Sequence, residues 1–222
     1  MTVGWALRLA GARSGLTRLT AAVIAFSASS VQFLDPAAKA TIERSRAAVA
    51  AKRSVDDIRT MVLRGRLRIP VEHGQPLEGT TEIKIALPDR YLRVDSIAAS
   101  RGATDTALAK LLLGMAAIIH SERATVKSSA DEGLPGTHAV DVGAGRSPLR
   151  LVVDDESGMP LRIVDWSGSR GTTVMSFADR RDVDGFLLPH RVTTTTTERV
   201  LETLMFDEIR INSRLTEMDF KP

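Results

Sequence analysis

The stretch from Met175 to Pro222 constrains this chain more than any other. It reads as three extended runs joined by two turns. Ser176 to Arg181 leads into Asp184-Gly185, a dipeptide whose tolerance of positive φ suits a tight hairpin turn. Phe186 to Glu198 follows, with Phe186, Leu188, His190 and Val192 on one face of a period-two pattern. Thr193 to Thr197 are β-branched, which disfavours a helix and suits a strand. Val200 to Asn212 returns with Val200, Leu204 and Phe206 on one parity and Ile209 and Ile211 on the other. The pattern predicts an antiparallel meander, and the first reading of any residue in it is structural.

The same periodicity extends upstream. From Met61 to Ile69, the residues Met61, Leu63, Leu67 and Ile69 share one face with Gly65, while Arg64, Arg66 and Arg68 share the other. That is a strand with one dry and one wet face. The arginine row reads as a solvated face balanced by acids on a neighbouring strand rather than as a stripe for nucleic acid or lipid phosphate. Thr80 to Leu87 places Ile83, Ile85 and Leu87 inward and Glu82 and Lys84 outward. After the Pro88-Asp89 turn, Tyr91 to Ile97 sets Leu92 and Val94 against Arg93 and Asp95. Shorter strands are predicted over Ala124 to Ser128, His138 to Val142, Leu149 to Asp154, Leu161 to Trp166 and Thr172 to Phe177, giving one sheet of about ten strands in mainly sequential order.

Helices are few. Asp35-Pro36 suits the cap and first turn of an amphipathic helix over Ala37 to Ala51. Ser54 caps a short helical turn that runs through Ile58 to Thr60. Thr104 to Ser121 breaks the strand pattern, and its apolar residues, including Leu108, Leu111, Leu112, Met115, Ile118 and Ile119, cover most of its circumference. Such a helix must be covered on most sides.

Residues 1–30 hold Arg8, Arg13 and Arg18, a short apolar run from Leu19 to Phe26, and small residues at Ala28, Ser29 and Ser30. This is the layout of a secretory signal, and the apolar run is too short to span a bilayer. The expected division is residues 1–30 as signal peptide and 31–222 as a single domain. The formal charge of +3 comes from those three arginines, since removing them leaves 27 basic against 27 acidic side chains. A balanced domain gives no reason to invoke nucleic acid. Hydrophobic residues make up 43% and aromatic ones 4%, so the core must be largely aliphatic. There is no cysteine, which excludes a disulfide framework, a thiolate metal site, a cysteine nucleophile and a lipid-modified cysteine anchor in the sequence as it stands.

No catalytic constellation emerges. His73, His120, His138 and His190 stand apart, without a partner at metal-ligand spacing. Asp-Trp-Ser-Gly-Ser over 165–169 lacks the nucleophile elbow. The acids at 154–156 and at Asp182 and Asp184 fall in turns and do not match a calcium loop. The lone Gly-Ala-Gly at 143–145 lacks the context of a phosphate loop. No cofactor is expected.

The C-terminal stretch carries a resemblance. Asp-Val-Asp-Gly-Phe-Leu-Leu-Pro-His-Arg-Val at 182–192, Phe-Asp-Glu-Ile-Arg-Ile-Asn at 206–212 and the Asp-Phe-Lys-Pro tail resemble the outer-membrane lipoprotein-sorting (LolA/LolB-like) superfamily. The Ala-Leu-Pro-Asp-Arg-Tyr-Leu-Arg-Val stretch at 86–94 and the acidic turn before Pro160 are similar too. The resemblance implies an α+β fold: a strongly curved antiparallel sheet, a half-barrel, wrapped over helices with an apolar cavity between. It further implies a periplasmic, non-catalytic carrier or chaperone, monomeric, that binds lipoprotein acyl chains or another lipid. The alternative on the same fold is a sensor or interaction module that binds an outer-membrane protein segment or another envelope membrane protein. Inward parity then selects the cavity residues: Leu63, Leu67, Ile83, Ile85, Leu112, Met115, Ile119, Leu151, Ile163, Met175 and Phe177. The helix over Thr104 to Ser121 would line or plug that cavity, or serve as plain core. Arg64, Arg66 and Arg68 are all available by position for the arginine that holds such carriers closed. Ser100 to Ala103 and Ser167 to Arg170 are the expected hinges.

Overall fold

The computed structural model describes residues 35–87, 90–97, 125–128, 135–143, 149–165, 172–197 and 199–221. Helix α1 spans Pro36–Val49. Its start follows from local chemistry: Asp35 accepts a hydrogen bond from the Ala37 amide at 2.8 Å, and Pro36 occupies the first turn, where no donor is lost. Ser54 caps a single 3-10 turn, Val55–Asp57, which is shorter than the sequence predicts. The expected signal peptide, the helix over Thr104 to Ser121 and both expected hinges lie outside the described residues, apart from Thr125 onward where the sheet resumes.

Ten strands follow: β1 Thr60–Ile69, β2 Leu77–Ala86, β3 Arg90–Asp95, β4 Thr125–Ser128, β5 Thr137–Gly143, β6 Leu149–Asp154, β7 Pro160–Asp165, β8 Thr173–Val183, β9 Phe186–Thr196 and β10 Val200–Ile211. They form one antiparallel sheet in the order β3-β2-β1-β10-β9-β8-β7-β6-β5-β4. All neighbours but one are joined in sequence. The exception is β1 with β10, which links the two ends of the described chain. Asn212, in the left-handed region at φ +56°, secures that junction. Its side-chain oxygen accepts from the Arg59 amide at 2.8 Å and its amide group donates to the Asp57 carbonyl at 2.9 Å. The β8–β9 turn is Asp184 and Gly185, both with positive φ (53° and 89°), as a two-residue hairpin requires.

Between Arg64 and Gly65 the β1–β10 register shifts, because Arg64 faces Glu208 while Gly65 faces Phe206. Asp207 is therefore an extra residue, a β-bulge, and it accounts for the change of parity from Phe206 to Ile209. Gly65 is needed there: a Cβ would come within 2.0 Å of the Met205 carbonyl oxygen. A second bulge at Leu201, between the Val200–Thr195 and Glu202–Thr194 pairs, turns Val200 outward. Val200 thus leaves the row of Leu204 and Phe206 expected for it and is 38% exposed.

The core lies between α1 and one face of the sheet. Ala38, Ile42 and Val49 of α1 pack with residues such as Leu67, Leu151, Phe186 and Leu204. Ser45 donates to the Gly158 carbonyl at 2.8 Å and ties α1 to the β6–β7 turn. The opposite face carries the ion pairs that the balanced charge anticipates. Arg64 meets Glu82 and Glu208, Arg66 meets Asp207, and Arg68 meets Glu78. Strands β6 and β7 depart from this one-sided pattern, with Leu151, Val153 and Ile163 buried on the core side and Val152 and Val164 buried on the other.

Candidate functional site

The sheet register assembles the core face in transverse rows. Leu151 pairs with Ile163, Ile163 with Met175, Met175 with Thr194, and Thr194 with Glu202. In the next row Phe177 pairs with Val192, Val192 with Leu204, and Leu204 with Leu67. Beyond the bulge, Ile209, Leu63, Ile83 and Arg93 form a row, and Ile211, Met61, Ile85 and Tyr91 another. Eight of the residues selected by parity, Leu63, Leu67, Ile83, Ile85, Leu151, Ile163, Met175 and Phe177, thus lie on one face. All are buried except Leu63, which is partly so. Leu112, Met115 and Ile119 lie outside the described residues. The described residues show this face as packed core with α1. The apolar cavity that the resemblance implies is not among the features they show.

One expectation is reversed on β3. The sequence sets Leu92 and Val94 as the apolar side, but Val94 is 42% exposed and Leu92 is buried on the far face. Arg93 and Asp95 point instead toward the core side. The reason is the register of the hairpin: residues 87–89 form the connection, Ala86 pairs with Arg90, and Arg93 falls opposite Ile83. That count was available in the sequence. What it could not supply is a partner for a buried guanidinium.

The partner is Glu202 of β10. Arg93 Nη1 and Nη2 donate to Glu202 Oε1 and Oε2 at 3.1 and 2.8 Å, and Arg93 Nε donates to Asp95 Oδ1 at 2.9 Å. The two side chains are 3% and 2% exposed. Two strands, β2 and β1, separate β3 from β10 in the sheet. A flat sheet would hold strands three places apart about 14 Å from one another. The pair therefore shows that this part of the sheet is curled enough for β3 and β10 to meet across its concave side. Burial alone would lower the Arg93 pKa. The hydrogen bonds and charge of Glu202, then those of Asp95, outweigh it and hold the guanidinium above the ordinary arginine value. None of Arg64, Arg66 and Arg68 takes this position, because all three are on the ion-paired outer face.

Further polar groups share the concave side. His190 donates from Nδ1 to the Phe206 carbonyl at 2.7 Å. Its Nε2, Thr81 Oγ1 and Thr194 Oγ1 are buried with no hydrogen-bond partner. His138 and Asp155 form a contact at the protein surface. Among the described residues, no three His, Asp or Glu side chains group in a way that could hold a metal ion. No described helix is long and apolar enough to cross a membrane.

A single curled antiparallel sheet holding α1 and a core on its concave side defines a recognisable class. Solved structures place it. A DUF1329 family protein from Desulfovibrio piger is similar with a TM-score of 0.58 at 11% identity, over 84% of this chain and 98% of that one. A LolA superfamily protein from Nitrosomonas europaea is similar with a TM-score of 0.50 at 11% identity, over 83% of this chain and 97% of that one. This chain has the LolA-like fold that the C-terminal motifs anticipate. No family model and no curated protein matches the sequence.

Proposed function

We propose that this protein is a periplasmic carrier or chaperone that binds lipoprotein acyl chains or another lipid on the concave side of its sheet, without catalysis. The observation that carries the reading is the continuous apolar face made by Leu151, Ile163, Met175 and Phe177 with Leu67, Leu63, Ile83 and Ile85, combined with the LolA-like fold. Leu112, Met115 and Ile119 complete the proposed site from the strongly apolar segment at 104–121. Binding there is non-directional, at about 25 cal/mol for each Å² of apolar surface removed from water, so it favours long chains over particular head groups. The signal-like residues 1–30 support export, with cleavage leaving a single domain of 31–222. The proposed carrier acts as a monomer.

Native mass spectrometry of the full chain expressed for export, followed by denaturing lipid extraction, tests the reading. A mature mass starting near Val31 with co-purifying acyl lipid is the expected result. Mature protein that neither retains nor takes up lipid moves the assignment to the interaction module that binds an envelope protein segment. An intact Met1 start overturns the periplasmic assignment.

A further inference from the structure

We propose that the concave side carries a hydrogen-bonding subsite for the uncharged polar head of an amphiphile, formed by Thr194, Thr81 and His190 beside the Arg93–Glu202 pair. The proposal rests on the carrier reading and specifies which amphiphiles the carrier takes.

Thr194 is 0% exposed, Thr81 3% and His190 6%, and each keeps a polar atom without a partner. A buried donor or acceptor left unmade costs about 1–3 kcal/mol. Three of them on one face require an explanation. Valine would fill either threonine site with almost the same volume and no such cost. The register puts all three on the core side: Thr194 pairs with Met175 and Glu202, Thr81 shares parity with Ile83 and Ile85, and His190 shares parity with Val192. Because Nδ1 of His190 donates to a carbonyl, Nε2 of the neutral ring is an acceptor that seeks a donor. The two hydroxyls both donate and accept. Together they suit a head group bearing hydroxyls, esters or an amide.

Charge narrows the class. Arg93 is already engaged by the carboxylates of Glu202 and Asp95, so it offers no uncompensated positive charge. A carboxylate or phosphate head placed beside Thr194 would instead meet the neighbouring Glu202 carboxylate in a dry setting, where like charges repel strongly. The subsite therefore takes a neutral head of acylglycerol type. Its chain runs from Thr194 along Met175, Ile163 and Leu151, the same transverse row.

The full chain, expressed for export and stripped of lipid, is titrated with monooleoylglycerol and, separately, with oleate at neutral pH. Monooleoylglycerol should bind about tenfold or more tightly than oleate, the scale of one hydrogen bond gained or lost. Thr194→Val should reduce monooleoylglycerol affinity by a similar factor, leave oleate unchanged, and leave the thermal midpoint of the lipid-free protein the same or higher. Thr81→Val serves as the second variant, with the same expected pattern. Equal affinity for the two lipids, or monooleoylglycerol binding indifferent to both substitutions, would overturn the subsite and assign the hydroxyls to internal water, with the carrier reading intact. Wild-type protein that binds neither lipid would end both.

Discussion

Arg93 and Glu202 lie 109 residues apart in sequence and on strands separated by two others, yet their side chains meet through two hydrogen bonds on the concave side of the sheet. The contact forms only if the β3 end of the sheet is curled toward β10. It is also a buried ion pair, whose net contribution depends on both partners being present.

Removing one partner should therefore be costly. Arg93→Met or Glu202→Gln leaves a buried charge or acceptor uncompensated, and each should lower unfolding free energy by about 3–5 kcal/mol. The double variant Arg93→Met with Glu202→Leu should recover most of that loss. Urea unfolding followed by circular dichroism measures it, and additive losses in the double variant would show that the pair is not coupled.

The bulge at Asp207 makes a second demand. A Cβ at Gly65 would lie 2.0 Å from the Met205 carbonyl oxygen and 2.7 Å from the Phe206 Cα, both backbone atoms that cannot rotate away. Gly65→Ala should cost at least about 1–3 kcal/mol, the usual range for overpacking. A thermal midpoint equal to that of the parent would mean that β10 shifts freely at this point.

Ser45 gives a test of how α1 is held. Its hydroxyl donates to the Gly158 carbonyl in a buried contact, so Ser45→Ala should destabilise by about 1–3 kcal/mol through the carbonyl left unpaired. Amide exchange at the β6–β7 turn should quicken in the same variant.

Acid should unfold the protein from the carboxylate side. The hydrogen bond to Arg64 holds Glu82 below its ordinary pKa, and the Gly185 and Thr216 amides do the same for Asp182 and Asp219. With folded values lowered, the unfolded chain takes up protons first. The stabilisation from these groups is complete above the ordinary carboxylate range and is lost as pH falls from about 4.5 through the folded values. The midpoint urea concentration should be flat near neutrality and decline below that point. A decline already complete by pH 6 would contradict these assignments.

The proposed lipid site has its own direct test. Leu112→Asp or Met115→Asp should abolish lipid uptake while the far-ultraviolet signal of the sheet is unchanged. Lost folding would mark the segment as plain core, and retained uptake would remove it from the site.

Much of the sheet was legible in the sequence. The period-two rows of β1, β2 and β9, the positive-φ turn at Asp184-Gly185 and the Asp35-Pro36 start of α1 all depend on local sterics and on which face is dry. Such rules act over a few residues. Even the bulge was visible, as the parity change from Phe206 to Ile209. Eight of the selected apolar residues fall on one face for the same reason, because period-two parity reports the side of a strand.

What the sequence by itself determined is therefore strand content, facing and the order of hairpins. The tertiary structure alone decided that Arg93 turns inward to meet Glu202, that Thr81 and Thr194 are buried without partners, and that Val152 and Val164 are covered on the second face of β6 and β7. The physical reason is that burial of a charge or hydroxyl depends on what curling of the sheet brings beside it. Those neighbours come from strands far away in the chain, beyond the reach of any local periodicity.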